Sequence, residues 1–459
     1  MNLTELRAAL AEAQVTPVKS LGQNFLHDEN LARWIVTQAD VQPDDCVVEI
    51  GPGLGALTRE IAARGARVLA LEKDARLAEF LRREFVNTRV EVRHIDAMRF
   101  DARELFAHAR VKILGNLPYY VASQLLLHYV DFPSHIILAL FMLQDEMARR
   151  LAATQRDHEY GAFSLRLQSH FEIEYLRKIP NSVFFPRPEV DSAMIRLAPR
   201  DEKQIGIHDV SLFRELVRSG FSQRRKQLRN GLSKQITDWE PVTAALGIAR
   251  ESRAEDLSRE QWIALANFLS EARAEHDQRA TEEQFPVVDE EDRVIGSAAR
   301  SKVHEDNLRH RAVHLLLFNE KGEVLLQKRS GRKDRHPYVW DSSAAGHVDA
   351  GEEYDFAATR ELIEELGVRV PLQRIGKLLA SPKTGEEFIW IYTGQHEGPF
   401  PFNTEEISAV MFFPVDIVER WIAHAPRDFA PGFLECWHVW ARSTSSRAAL
   451  DSATSSSAI

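Results

Sequence analysis

Asn116-Leu117-Pro118-Tyr119 ends the apolar run VKILGN (111–116) and offers the groups that methyl transfer to an adenine would use. The exocyclic amine of adenine is a poor nucleophile because its lone pair is shared with the ring. The Asn116 side-chain oxygen and the backbone carbonyl on the Pro118 side can both accept its hydrogens. That draws the nitrogen toward a tetrahedral geometry and exposes its lone pair to a methyl sulfonium. Tyr119 supplies a stacking face for a base removed from its helix. Positioning and polarisation suffice for such a transfer, with no metal or general base. A second constellation lies far downstream. Glu361, Glu364 and Glu365 stand at i, i+3 and i+4, on one face of a helix. Alone they would repel, so the cluster points to a bound cation. Hard carboxylate oxygens suit Mg2+, which also bridges the oxygens of a diphosphate.

The first constellation needs a pocket for the methyl donor, and three strand ends supply candidates. VVEI (47–50) runs into Gly51-Pro52-Gly53-Leu54-Gly55 and then into a helical pattern. Glycines at such a turn let backbone approach a ligand beside a helix N-terminus. The turn by itself serves a dinucleotide, an adenosyl ligand or nothing, and its spacing is not G-x-G-x-x-G. The next strand ends in Glu72, where a carboxylate can accept ribose hydroxyls. A third ends at Asp96, where an acid can accept from an adenine amine. The ordered trio favours an adenosyl ligand.

The positioning elements follow from hydrophobic pattern. Runs at 47–50, 67–72, 90–95, 111–116 and 135–140 read as buried strands alternating with helices, which predicts a doubly wound, largely parallel α/β sheet. Residues 205–272 turn helical, with helices expected at 209–219, 222–235, 241–247 and 259–272. A polar stretch at 271–284 reads as a linker. Strands and hairpins around one helix at 355–366 then predict a smaller α+β domain. The boundaries expected are 1–200 for a catalytic domain, 201–275 for a helical subdomain, 276–284 for the linker and 285–440 for the second domain. The Ser/Ala-rich end, 441–459, reads as a disordered tail.

LGQNFLHDENLARWIV, VEIGPGLGALT, LALEKD, HIDAM, ILGNLPYY, FMLQDEMARRL and FFPRPEVDSAMIRL together resemble the small-subunit ribosomal RNA adenine dimethyltransferase family over nearly all of residues 15–275. The resemblance implies a Rossmann-like class I methyltransferase core with a small all-helical subdomain, and S-adenosyl-L-methionine as cofactor. It implies that Asn24, Leu26, Gly51, Gly53, Glu72, Asp96 and Asn116 contact that cofactor. Asn116, Pro118 and Tyr119 would act on the adenine, with Phe184 as the second face of the sandwich. Tyr120 stands where other members carry Asn. The implied reaction adds two methyl groups to N6 of each of two adjacent adenines in the hairpin near the 3′ end of 16S rRNA, in the immature small subunit. Methylation of 23S rRNA or of DNA adenine is the alternative.

Charge agrees with a division into two parts. The net charge is −10, but residues 1–275 hold 37 basic and 38 acidic side chains against 21 and 30 in the remainder. Arg214, Arg218, Arg224, Arg225, Lys226, Arg229 and Lys234 are opposed only by Glu215 across their window. With the resemblance, Arg224, Arg225, Lys226 and Arg229 are expected to grip RNA phosphates. Two cysteines in 459 residues exclude a disulfide framework, and no apolar run approaches the roughly 18 residues of a membrane span. A cytoplasmic protein is expected.

From Gly346 the chain reads GHVDAGEEYDFAATRELIEELGV, whose fixed spacing is the complete Nudix box. Arg360 is expected to orient a glutamate, and Leu362, Ile363 and Leu366 to anchor the opposite helix face. Residues 285–425 resemble the Nudix superfamily, in its isopentenyl-diphosphate isomerase-like branch. True isomerases of that branch carry a cysteine before the Gly-His pair, whereas Ala345 stands here, so hydrolysis of a nucleoside or other organic diphosphate is expected. Glu387 and Glu406 are candidates for an acid recruited from outside the box. His304, His310 and His347 are either part of a second metal site or structural. The alternative for this domain is a non-catalytic binding module.

Overall fold

The computed structural model describes residues 2–18, 22–277, 283–333 and 335–455, with backbone alone for 273–277 and 444–455. The chain forms two compact units, Met1–Ile205 with Phe213–Leu265, and Gly206–Leu212 with Ala266–Ile459.

Among the described residues of the first unit, nine strands occur: β1 (Phe25–Leu26), β2 (Cys46–Ile50), β3 (Arg67–Glu72), β4 (Val90–His94), β5 (Val111–Asn116), β6 (Ile136–Gln144), β7 (Phe171–Ile179), β8 (Phe184–Phe185) and β9 (Ser192–Pro199). Seven form one sheet in the order β4-β3-β2-β5-β6-β9-β7. The first five are parallel, and β9 and β7 add antiparallel. The run of β-branched and leucine residues in β2 and β5 follows from burial on both faces. Val48, Ile50 and Ile113 pack on the side of Leu125 and Leu126. Val47 and Leu114 pack on the side of Leu31, Ile35 and Ile61. Strand order reverses between β2 and β5, so the chain leaves a crevice at their C-terminal ends. That crevice is where Gly51 and Asn116 emerge.

Helices occupy Val210–Phe221, Leu228–Gly231, Glu240–Leu246 and Arg259–Asp277. The helix expected over 222–235 shrinks to four residues, because Ser222–Lys226 form turns and Leu228 N–H bonds to Ser252 O at 2.7 Å. Close packing fixes the fold there: a Cβ on Gly220 would lie 2.5 Å from Trp262, whose ring stacks on Phe221.

The second unit holds β10 (Gln284–Val288), β11 (Val294–Ala299), β12 (His310–Phe318), β13 (Val324–Arg329), β14 (Trp340–Asp341), β15 (Ala344–His347), β16 (Gln373–Leu378), β17 (Glu387–Gln395) and β18 (Ile407–Phe413). β10 and β11 form a separate hairpin, and the rest form a seven-stranded mixed sheet. Helix Tyr354–Leu366 buries Ala357, Ala358, Leu362 and Leu366 against β12 and β15, and Gly367 ends it in the left-handed conformation. Ile363, expected on that inner face, is 42% exposed, since it follows Leu362 by a 100° turn of the helix.

Two boundary expectations change. The linker over 271–284 is helical up to Asp277, and β10 begins at Gln284; 278–282 lie outside the described residues. Helix Pro431–Ser455 runs through most of the expected disordered tail, because after Gly432 the segment has no proline or glycine and is rich in alanine, a strong helix former; 456–459 lie outside the described residues. No helix among the described residues is long and apolar enough to cross a membrane.

Candidate active sites

The glycine turn closes over β2 with Gly51, Gly53 and Gly55 all at positive φ. At Gly53 a Cβ would also lie 2.9 Å from Phe25, so only glycine fits. Gly53 N–H donates to Glu72 Oε2 at 3.1 Å, and Asp74 N–H donates to Glu72 Oε1 at 2.8 Å. Burial pushes the Glu72 carboxyl up to about 7. Asp96 accepts from Met98 N–H at 3.0 Å and pairs with Lys73 Nζ at 2.9 Å, and that ammonium holds its carboxyl below the usual range.

These residues line one crevice of about 130 Å³ together with Asn24, Phe25, Gly51, Asn116 and Pro118. Asn116 Nδ2 donates to Asn24 O at 3.1 Å, which ties the segment before β1 to the end of β5 and fixes the amide. Leu26 is buried beneath the glycine turn and lines a smaller cavity with Gly51, Gly53 and Asn116. Below the same turn lies Glu49, which sequence reasoning passed over. It accepts from Thr58 Oγ1 at 2.6 Å, and complete burial lifts its carboxyl to about 7.

A second cavity of about 370 Å³ shares Asn24, Asn116, Pro118 and Tyr120 with the crevice. Its walls are Tyr119, Gln144 and Pro186–Val190. Tyr119 Oη and Ser192 Oγ are 2.8 Å apart, which holds the tyrosine ring in place. Phe184 is not part of this wall. It pairs with Leu26 across β1 and β8, is 3% exposed and belongs to the core, while the proline-rich loop Pro186–Val190 lines the cavity with Tyr119. The FFPRPEVD motif was a true signal for this wall, but the alternation of a strand turns Phe184 inward. Tyr120 is 58% exposed at the rim shared by both cavities.

The basic stripe divides. Arg224 donates to Glu255 Oε2 at 2.8 Å and to the His158 carbonyl, Arg229 donates to Gln227 Oε1 at 2.9 Å, and Arg214 pairs with Asp131 at 2.9 Å. Arg218, Arg225, Lys226 and Lys234 are exposed and have no ion-pair partner among the described residues.

In the second unit, Arg360 occupies the centre of the box. It donates to Glu352 Oε1 at 3.0 Å, Glu361 Oε1 at 2.7 Å, Glu364 Oε2 at 2.9 Å and the His347 carbonyl at 2.8 Å. Burial pushes the Glu361 carboxyl up to about 8. The three expected metal-binding glutamates divide: Glu361 and Glu364 meet on Arg360 Nη1, whereas Glu365 is buried and accepts from Ala345 N–H and Gln327 Nε2, both at 3.0 Å. Glu361 lies directly on Gly346, where a Cβ would fall 2.0 Å from its carboxyl carbon.

Among the described residues, the ligand atoms that do converge are those of His304, His310 and His347, all within 4.8 Å of one another. Glu387 Oε1 stands 3.5 Å from His310 Nε2 and 3.4 Å from His347 Nε2. Nε2 of His304 and of His310 are buried with no hydrogen-bond partner, and burial pushes His304 down to about 4, keeping it neutral. Orphaned imidazole nitrogens facing one carboxylate are a donor set suited to a divalent cation. His304, His347 and Glu387 line a cavity of about 520 Å³ that Gly346 also borders. Arg300, Arg329, Lys333, Arg335 and Lys383 line it too, with Asp341 and Glu387 as its acids. Glu406, the other acid expected outside the box, contacts Lys333.

A largely parallel sheet with a crevice lined by Glu72, Asp96 and Asn116 at its switch point, followed by a box of carboxylates on a helix, defines a Rossmann-like methyltransferase followed by a Nudix-type domain. Residues 16–271 match the family model for ribosomal RNA adenine dimethylase, and the chain belongs to that family. Residues 308–433 match the NUDIX domain model. "Ribosomal RNA small subunit methyltransferase A" of Chlorobium phaeobacteroides is 42% identical over 256 residues, 56% of this chain and 95% of the relative. The protein of the same name from Francisella tularensis is 40% identical over 258 residues, 55% of this chain and 97% of the relative. A solved 23S rRNA methyltransferase superposes with a TM-score of 0.46 at 28% identity, over 54% of this chain and 100% of that one.

Proposed function

We propose that the first unit transfers methyl groups from S-adenosyl-L-methionine to N6 of two adjacent adenines in the 3′-terminal hairpin of 16S rRNA, in the immature small subunit. One observation carries this reading. Asn116 stands where the crevice meets the outer cavity, with its Nδ2 spent on Asn24 O, so its Oδ1 is the atom left to accept from an amine. Pro118 O accepts Val121 N–H at 3.1 Å, and Leu117 O, the carbonyl of the Leu117–Pro118 peptide, is taken as the second acceptor. Glu72 and Asp96 would accept from the ribose and adenine of the donor, and Tyr119 would stack on the target base. The cofactor supplies an electrophilic methyl. With the cofactor bound, Asn116 Oδ1 and Leu117 O would hold the amine for in-line transfer, in which the new N–C bond would form as the S–CH3 bond breaks and the amine proton would pass to solvent. The exposed Arg218, Arg225, Lys226 and Lys234 hold RNA phosphates. A methyl-transfer assay on small subunits lacking the modification, on 23S rRNA and on DNA tests the substrate. Equal transfer to DNA would overturn the assignment.

We infer that the second unit hydrolyses an organic or nucleoside diphosphate with Mg2+. Glu361 and Glu364 would hold the ion, with Arg360 yielding one carboxylate oxygen from each. The basic cavity bordering Gly346 suits the diphosphate. His304, His310, His347 and Glu387 would hold a second cation of the kind imidazole selects. With Ala345 in place of a thiol, no group stands there to protonate carbon. Phosphate release from a panel of diphosphates with Mg2+, using Glu364→Gln as control, tests hydrolysis. Diphosphate binding without release would leave this unit a binding module. Elemental analysis of the purified chain tests the histidine site, where His347→Ala should lose about one bound metal ion per chain.

A further inference from the structure

Gln144 is the last residue of β6 and the N-cap position of helix Asp145–Ala152, yet its side chain does not cap that helix. It lines the outer cavity, and its amide has no hydrogen-bond partner among the described residues. The amide lines an open cavity and is committed to no described protein group, so it is available to a polar edge that enters there. Its place is set by the sheet. Asn116 is paired with Met142, and Gln144 follows Met142 by two residues on the same strand face, with Ser192 opposite. Two residues along a strand is about 7 Å, the width of a purine ring with a hydrogen bond at its edge. Ser192 in turn anchors Tyr119, the stacking face.

Adenine carries two lone-pair nitrogens beside its amine, N1 and N7, and a glutamine amide matches that edge. The two holds on the amine, Asn116 Oδ1 and Leu117 O, both depend on its hydrogens. The first methyl transfer removes one of those hydrogens, so one hold is lost before the second transfer. A ring nitrogen is unchanged by either transfer. We propose, resting on the adenine reading above, that Gln144 is a positioning residue that donates its Nε2–H to a ring nitrogen beside the target amine. In that role it holds the monomethylated adenine in register for the second methyl.

The test uses the full-length chain and unmodified small subunits, with mono- and dimethyladenine quantified by mass spectrometry in single turnover. Gln144→Leu and Gln144→Glu should keep cofactor affinity within about twofold and raise the mono-to-dimethyl ratio at least fivefold. Wild-type enzyme acting on subunits reconstituted with 1-deazaadenosine or 7-deazaadenosine at the target should reproduce that ratio for one of the two analogues. The same analogue should then add no further defect in Gln144→Leu. An unchanged ratio in both variants, or additive defects with both analogues, overturns the proposal. If the variants do not fold, the analogue arm on wild-type enzyme decides alone: neither analogue raising the ratio overturns it. If wild-type enzyme methylates no adenine at all, it is the adenine reading that fails.

Discussion

Asn116 separates binding from chemistry. Its Nδ2–H on Asn24 O sets the orientation of the oxygen, so Asn116→Ala removes the amine acceptor while Glu72 and Asp96 remain to bind the cofactor. Methyl transfer should fall by at least about 100-fold, the scale of losing a preorganised acceptor at a reacting group. Cofactor affinity should stay within a few-fold and diphosphate release should be untouched, which rate and equilibrium-binding measurements on one preparation would check. Tyr119, Glu72 and Asp96 were legible as residues because each ends a strand or follows one in a recognisable motif. Gln144 and Lys73 lie within FMLQDEMARRL and LALEKD, where local pattern gives them no role, since their value depends on which cavity they line. Phe184 failed for the same reason in reverse: the motif located the wall, but strand alternation decided which side chains form it.

Two glycines show how elements hold the sites. Gly53→Ala places a Cβ at φ +58° and 2.9 Å from Phe25. The conformational part alone costs about 1–2 kcal/mol, so the first unit should melt several degrees lower and bind its cofactor at least tenfold more weakly. Gly51→Ala, whose nearest neighbour would be 3.9 Å away, carries only the conformational part and should be milder. Equal effects of the two substitutions would argue against the Phe25 contact. Gly346→Ala drives a methyl into the Glu361 carboxyl. Hydrolysis should drop by at least about tenfold with little change in melting, because the helix Tyr354–Leu366 keeps its buried face. The elements themselves were largely legible: the five parallel strands and that helix fall within a few residues of expectation. The antiparallel pair β7 and β9 lay outside the expected runs, and so did the short helix at 228–231, since a turn-rich segment carries little periodicity.

At the scale of the molecule, charge and protons give two further outcomes. Burial lifts Glu49 and Glu72 to about 7, above an ordinary carboxyl near 4.3. The folded chain therefore binds more protons than the unfolded chain between those values, and stability falls as pH rises through that window. The ligand-free melting temperature of the first unit should decline from pH 5 to pH 8, and Glu49→Gln should flatten the decline; a temperature that rises over the same range would contradict it. Arg225 and Lys226 are exposed beside paired neighbours. Arg225→Ser and Lys226→Ser should each reduce the slope of log affinity for RNA against log salt by about one, whereas Arg229→Ser should change it little.

The order of motifs along the chain determined that there are two units, that the first is an α/β methyltransferase core and that the second carries a Nudix box, because a buried parallel strand and a fixed-spacing box write themselves into local pattern. Which charges meet was decided only by tertiary structure. Three histidines and Glu387 drawn from four separate segments, and Gln144 and Tyr119 on the wall of one cavity, bring together residues whose separation in sequence carries no period.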